Sequence, residues 1–367
     1  MANDIEQPWR LPGSVKGQDV KLGGSSRPVS SSAKERLHRI VNKTPEVMVK
    51  ITGRTRGGAT HLTGHLKGHL DYITRNGRIQ AETQDGERIT NHAGLRALHD
   101  DWLLANALES RGRNGPNATQ SVSLILSMPP GTPPDRLEMA VHTWARETFG
   151  SRHDWIMARH DDTDHPHVHV AVRAVGRDGR RLAPGPENLQ QWRERFAREL
   201  RRLGVEAEAT PKQARGIIRK ASHLGIKKAE QRGMEPLVRR AEKTKAACEA
   251  SSPKLPKPPD WSRGIQTRQE NIRQSYLGYA DELIKGDPTD RQLARDIRRF
   301  VTDMPVPLTR RQAMTVELRH VLEQQPGRGT PLPVPSTPNT SEIPRRETLT
   351  PSPEIVHPSM SLSKGRS

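Results

Sequence analysis

The stretch His160-Asp161-Asp162-Thr163-Asp164-His165-Pro166-His167-Val168-His169-Val170-Ala171-Val172 decides how the rest of the chain is read. Its second half alternates. In an extended strand, side chains two apart share a face. His167 and His169 therefore project together, while Val168, Val170 and Val172 turn to the other side as core. Two imidazoles on a rigid strand are a ready pair of metal ligands. His160 precedes a turn-like Asp-Thr-Asp-His-Pro segment and is placed to fold back as a third. Three neutral ligands leave positions open for water and substrate, as a catalytic metal requires. The plainer alternative is a solvated polar strand face. The added His160, the clustered aspartates and the valine alternation favour the metal site, and His165 reads as turn surface.

Working outward, the 367 residues suffice for two modest domains, or for one domain with extensions. Only 32% of residues are hydrophobic and 3% aromatic, and 30 are proline, which is too polar for one compact globule throughout. Part of the chain is therefore expected to be disordered. A net charge of +18 favours a polyanion partner, nucleic acid ahead of an acidic protein or membrane surface. The single Cys248 excludes a disulfide framework and a cysteine zinc site. The first ten residues lack the apolar segment of a signal peptide. No run approaches the roughly 20 apolar residues of a membrane span. A soluble cytoplasmic protein with no membrane insertion is the expectation.

Residues 1–40, rich in Gly, Ser, Lys and Arg, read as a flexible basic arm. Val47 to Ile51 reads as a strand, leading into a Gly- and Arg-rich turn with Arg54 and Arg56, suited to phosphates. Leu62, Leu66, Leu70 and Ile73 recur at helical spacing, and Asn76-Gly77 ends that helix. Tyr72 lies in its last turn beside Arg75. His61, His65 and His69 share one face of it, read as a polar face next to DNA. A hairpin is expected around Asp85-Gly86, a helix over 92–109 with Leu95, Leu98, Trp102, Leu103 and Leu108 as its apolar set, and a buried strand over 121–128. A helix over 134–148, a strand over 155–159 and the histidine strand 167–175 follow. A turn at 177–179 then suggests a hairpin back through Arg181-Leu182, before a helix over 187–203. Strands joined by hairpins or single helices make an α+β fold with a mainly antiparallel sheet, over residues 41–220. Beyond Thr210, basic side chains including Arg215, Arg219 and Lys220 decorate a helical stretch read as DNA-tracking. A Pro-rich linker near 252–260 divides this basic helical region, 221–325, and helices are expected around 264–285, 288–302 and 309–324. The Pro-, Ser- and Thr-rich tail, 326–367, is expected to be disordered.

Several of these stretches together resemble a known family. Asp71-Tyr72-Ile73-Thr74-Arg75-Asn76-Gly77 resembles a Tyr-Leu/Ile-Ser/Thr-Arg-x-Gly pattern, and it precedes Leu124-Ile125-Leu126-Ser127-Met128-Pro129-Pro130-Gly131-Thr132. His160-x-Asp162-x-Asp164-His165-Pro166-His167-Val168-His169 comes next, then Leu203-Gly204-Val205 with Arg215-Gly216. In this order they are similar to the relaxases of mobile plasmids, of the VirD2-like and MobA-like group, over roughly residues 45 to 220. One departure stands out: such proteins often carry Asn where this chain has Arg173.

The resemblance implies a sheet-centred endonuclease of the His-hydrophobic-His type that nicks one strand at a plasmid transfer origin and later rejoins it. It implies Tyr72 as nucleophile, with His160, His167 and His169 holding Mg²⁺ or Mn²⁺. A phenol with a pKa near 10 needs a base or nearby positive charge. Arg75 and the metal offer the charge; Asp71, Asp162 or Asp164 offers the base, and Asp162 and Asp164 also suit the hydrogen bond that orients a ligand histidine. Arg54, Arg56, Arg75, Arg215, Arg219 and Lys220 are the expected DNA contacts. Implied partners are single-stranded and supercoiled plasmid DNA, accessory relaxosome proteins, and a type IV secretion coupling protein that carries the enzyme into the recipient cell. A rolling-circle replication initiator is the nearest alternative; a non-catalytic DNA-binding accessory protein is another.

Overall fold

The computed structural model describes residues 28–56, 64–110, 118–150, 152–217, 222–254 and 260–324. Six strands form one antiparallel sheet: β1 (Met48–Arg56), β2 (Ala81–Thr83), β3 (Arg88–Ile89), β4 (Thr119–Ser127), β5 (Trp155–His160) and β6 (His167–Arg173). Their order across the sheet is β1-β4-β6-β5-β2-β3. The central strands β4 and β6 are Val-, Leu- and Ile-rich and pair along their length, from Ser121↔Arg173 to Ser127↔His167. Period-two alternation then sorts their side chains. Leu124, Leu126, Val168, Val170 and Val172 face one side, where α4 (Pro134–Phe149) and α5 (Pro186–Arg202) cover them with Trp144, Trp192, Phe196 and Leu200. Burying each such side chain stabilises by about 1.5–3 kcal/mol.

The opposite face carries His167, His169, Ala171 and Arg173. It is only partly covered. The helices α2 (Gly64–Ile73) and α3 (His92–Glu109) roof β2, β5 and part of β6, packing Leu66, Leu70, Ile73, Leu95 and Trp102 on Ala81, Ile156, Ala158 and Ala171. Leu108, expected in the apolar set of α3, is 69% exposed, because it lies off the buried face that carries Leu95, His99, Trp102 and Asn106. The expected hairpin at Asp85-Gly86 is present as β2–β3. The one expected through Arg181 is reduced to a single bridge, Val175↔Arg181. The segment after α5 runs beside the start of β1, with Glu208 bridged to Glu46 in parallel and Val205, Ala207 and Ala209 buried.

The end of the expected flexible arm is ordered. Ser31–Val41 is a helix, α1, whose N-cap Ser30 accepts a bond from the Ala33 amide. Its Leu37 and Ile40 join a second core with Tyr276, Ala280, Leu283, Leu293, Ile297 and Phe300. Those residues come from α8 (Asp260–Leu283) and α9 (Pro288–Thr302). The N-terminal helix thus belongs with helices some 240 residues further on, a non-local pairing that local composition does not signal. Arg39 also ties α1 to the sheet edge, Nε to Glu208 Oε2 at 2.8 Å. A short 3-10 turn, Lys212–Arg215, links the two cores: Tyr276 Oη donates to Ala214 O at 3.1 Å and Gln269 Nε2 to Gln213 O at 3.0 Å. Beyond it lie α6 (Leu224–Gln231), α7 (Leu237–Ser251) and α10 (Arg310–Gln324), with α7 and α10 paired through Thr315 and Glu249 at 3.0 Å. Several basic side chains of this region are engaged locally, Arg239 with Glu230 and Glu242, and Lys243 with Glu235. The proposed tail and residues 1–27 lie outside the described residues. Among the described residues no helix is long and apolar enough to cross a membrane.

Candidate active site

The β5–β6 hairpin builds the site. His160 ends β5 directly opposite His167, which opens β6, and Ala158 faces His169. Strand alternation then puts all three imidazoles on one face. Ring centroids lie 4.3 Å apart for His160 and His169, 5.3 Å for His167 and His169, and 5.4 Å for His160 and His167. One ring nitrogen from each falls within 4.8 Å of the others, the spacing a shared cation needs. His160 and His169 are buried and His167 is partly buried.

Hydrogen bonds fix which nitrogen is free. His160 Nε2 donates to the Ile73 carbonyl at 2.7 Å, so its Nδ1 keeps the lone pair. His167 Nδ1 lies 3.1 Å from the His165 carbonyl, which leaves its Nε2 free. Burial pushes the His169 imidazole down to about 3, with His160 and His167 adding to it, and it lowers His160 as well. Lowering keeps the His160 and His169 rings neutral at pH 7, the form that binds a cation. The donor set fits a divalent metal, and imidazole makes Mn²⁺ as suitable as Mg²⁺.

The bond from His160 to Ile73 also fixes the last residue of α2, and so Tyr72 beside it. The Tyr72 ring meets His169 edge-on at 5.6 Å and lies 6.3 Å from His160, yet the residue is 55% exposed. An exposed phenol held against three imidazoles is reachable by a macromolecular substrate. The Arg75 guanidinium lies 5.6 Å from the centre of the Tyr72 ring and is ion-paired with Asp162. Asp162 Oδ1 in turn stands 4.0 Å from His167 Nε2. Asp162 therefore connects the tyrosine's arginine to the triad. Asp164 is exposed and has no ion pair among the described residues. Asp71 pairs with Lys67 at 2.7 Å, one helical turn back.

Other expected contacts scatter. Arg54 and Arg56 are exposed on β1, Arg54 donating to the Pro184 carbonyl at 3.4 Å. Arg215 faces Glu46 at 3.4 Å, an internal pairing that leaves it less free for DNA than expected. Arg219 and Lys220 lie outside the described residues, as do His61 and the side chain of His65. His69 does not lie on a solvated polar face. It is partly buried, with Nδ1 3.3 Å from Ser123 Oγ, and burial pushes it down to about 4. It stands three residues before Tyr72, on the same side of α2, which is the signal that could have placed it. Arg173, at the expected Asn position, is fully buried: Nε bonds Asp154 Oδ2 and Nη1 bonds Glu109 Oε2, each at 2.6 Å. It closes the far end of the histidine face with a charge network.

Residues 72–204 match the family described as relaxase, MobA/VirD2-like, nuclease domain. Three curated relatives are each a T-DNA border endonuclease VirD2. The one from Rhizobium radiobacter is 27% identical over 49% of this chain and 45% of its own length. The one from Agrobacterium fabrum is 26% identical over 44% and 39%, and that from Rhizobium rhizogenes 23% over 56% and 50%. The chain thus spans half or less of the length of these relatives.

Proposed function

We propose that this chain, a VirD2/MobA-like relaxase by its nuclease domain, nicks one DNA strand by transesterification at a plasmid transfer origin. The observation that carries this reading is Tyr72 held against a cluster of three imidazoles by the His160–Ile73 hydrogen bond. Residues 41–220 serve as the nuclease domain, with α1 and the C-terminal helices as a second unit.

Tyr72 Oη attacks the scissile phosphorus. A phosphotyrosyl bond to the 5′ end forms, the bond from phosphorus to the 3′ oxygen breaks, and that oxygen takes up a proton. Bond energy is kept, so the step reverses and rejoins the strand. His160, His167 and His169 would hold a divalent ion, which would supply charge neutralisation to the phosphate. Arg75 places its positive charge over the ring of Tyr72, the residue that carries the attacking oxygen. Asp71 and Asp162 are the candidates to take the phenolic proton, the first paired with Lys67 and the second with Arg75. Asp162 also holds Arg75 in place beside Tyr72, a supporting role its ion pair favours. Accessory proteins at the origin, and a secretion coupling protein recognising the 326–367 tail, complete the proposed cycle. Deleting that tail should abolish transfer while sparing nicking.

The test uses a single-stranded oligonucleotide spanning the cognate origin, incubated with Mn²⁺ or Mg²⁺ and resolved on a denaturing gel. A covalent adduct lost in Tyr72→Phe and with chelator supports the mechanism. Cleavage without an adduct removes Tyr72 as nucleophile; no cleavage leaves a DNA-binding role.

A further inference from the structure

The histidine face is roofed on one side only. Where α2 and α3 stop, a cavity of about 500 Å³ opens across the start of β6, the end of β4 and β1. It begins at His167, has Met48, Ile125, Met128 and Pro129 along its walls, and reaches Glu46. Its volume is that of a small-ligand site.

The order of groups across this face is informative. Tyr72 packs on His169 and His160, His167 lies next to them, and the cavity starts at His167. Attacking and leaving oxygens at phosphorus are roughly in line. With Tyr72 attacking from the α2 side, the 3′ oxygen departs on the His167 side. The nucleotide bearing that oxygen, the one 5′ to the nick, therefore enters the cavity. Met48 pairs with Ser127, and Ser127 with His167, so Met48 stands two strand spacings from His167, about 10 Å. A base attached to a sugar at His167 spans that distance toward Glu46. The apolar walls suit the flat ring of an unstacked base, and the two methionines adapt to it.

Glu46 determines which edge is read. Its Oε2 accepts from the Thr210 amide at 2.7 Å, while Oε1 stands 3.4 Å from Arg215 Nε. The carboxylate is held in place with acceptor capacity to spare. It repels a phosphate and receives an amino group, the pairing that carboxylates make with cytosine N4.

We infer that the cavity between His167 and Glu46 binds the base immediately 5′ to the nick and selects bases with an exocyclic amino group over thymine, Glu46 being the specificity-determining residue. This rests on the nicking reaction proposed above. A site built to accept a hydrogen bond rejects a ligand lacking the donor. Thymine has no amino group; its one ring donor on that edge, N3–H, is flanked by two carbonyls that the carboxylate repels.

The experiment uses the full chain with Mn²⁺ and cognate-origin oligonucleotides randomised at that one position, reading covalent adducts and sequencing the released upstream fragments, which end in the free 3′ hydroxyl and carry that position. Thymine is expected to be depleted by about tenfold or more, given the value of one good base contact. Glu46→Gln, whose amide both donates and accepts, is expected to erase the depletion. On the wild-type chain, replacing cytosine by 2-pyrimidinone, which lacks only the amino group, should lose as much as thymine does, a readout that requires no variant to fold. Adducts with no bias at this position, a bias unchanged in Glu46→Gln, or full activity on 2-pyrimidinone overturns the inference and leaves the nicking reading intact. No adduct from any member of the pool sinks both.

Discussion

Acidifying the metal-free protein should destabilise it within a narrow, calculable window. Burial holds His169 at about 3 and His69 at about 4, against 6.5 for a free imidazole. Above pH 6.5 both rings are neutral, folded or unfolded, and contribute nothing to the pH dependence. Below 6.5 the unfolded chain takes up a proton at each ring and the folded chain does not. Stability therefore falls as pH falls, by about 1.4 kcal/mol per pH unit for each ring, until the folded values are reached. From pH 7 to 5.5 the two rings together cost about 3 kcal/mol, a large share of the roughly 5–15 kcal/mol of an ordinary domain. The lowered His160 and His153 act in the same direction. The assay is denaturant unfolding in chelator at several pH values, followed by fluorescence of Trp144, Trp155 and Trp192, all in the nuclease core. Mn²⁺ at 1,000 times its Kd should restore about 4 kcal/mol at pH 7, with the gain shrinking as protons compete for the same nitrogens. His169→Gln should remove about 1.4 kcal/mol per unit from the metal-free slope. Stability that is flat or rising from pH 7 to 5.5 would refute the claim that these imidazoles are held neutral by burial.

Arg173→Ala leaves Asp154 and Glu109 without their buried partner and should cost about 3–5 kcal/mol, read as a drop in Tm. Leu37→Ala opens a hole between α1 and α9 and should cost about 2–5 kcal/mol, with new proteolytic cleavage in 28–45; a silent variant would return α1 to the status of a loose arm. His160→Ala removes a ligand nitrogen and the anchor of Ile73 together, so calorimetry should show Mn²⁺ affinity down by at least roughly 10- to 100-fold.

The histidine strand was legible because period two is written directly in His-Val-His-Val-Ala-Val. The valines entered the core behind the sheet, and the imidazoles the opposite face. A run of apolar residues stopped by Pro129-Pro130 gave β4, and helical spacing gave α3, α4 and α5 nearly to the residue. What alternation omits is which strand lies beside which. The cavity between His167 and Glu46 exists because β4 sits between β1 and β6, and no local pattern encodes that order. The burial of α1 was hidden for a related reason: its partners in α8 and α9 are remote, and the Ser- and Lys-rich flank around it reads as solvated. Arg215 looked like a DNA contact because charge is visible in sequence while its partner, Glu46, is 169 residues away along the chain. His69 was visible as one of three histidines on a helix, but the depth to which α2 sinks onto the sheet was not.

The Tyr-Ile-Thr-Arg-Asn-Gly segment is explained by geometry at every position. Tyr72 and Arg75, three apart, both turn toward the triad, and the chain leaves the helix after Ile73. It does so with Arg75 at φ 51° and Asn76 at φ 58°, in the left-handed region that costs a non-glycine residue about 1–2 kcal/mol. Thr74 helps stabilise the exit: its hydroxyl donates to the Leu70 carbonyl at 2.8 Å and accepts from the Gly77 amide at 3.1 Å. Gly77, at φ 75°, passes so close to α3 that a Cβ would come within 2.9 Å of the Asn91 and His92 backbone. Asn76 belongs to a residue type that tolerates this conformation; Arg75 does not, and its ion pair with Asp162 and its position over the Tyr72 ring offset the strain. The strained arginine is therefore tied to the histidine loop on one side and to the tyrosine on the other. The helix end and the metal-ligand strand are in this way a single structural unit, joined by one backbone carbonyl and one ion pair.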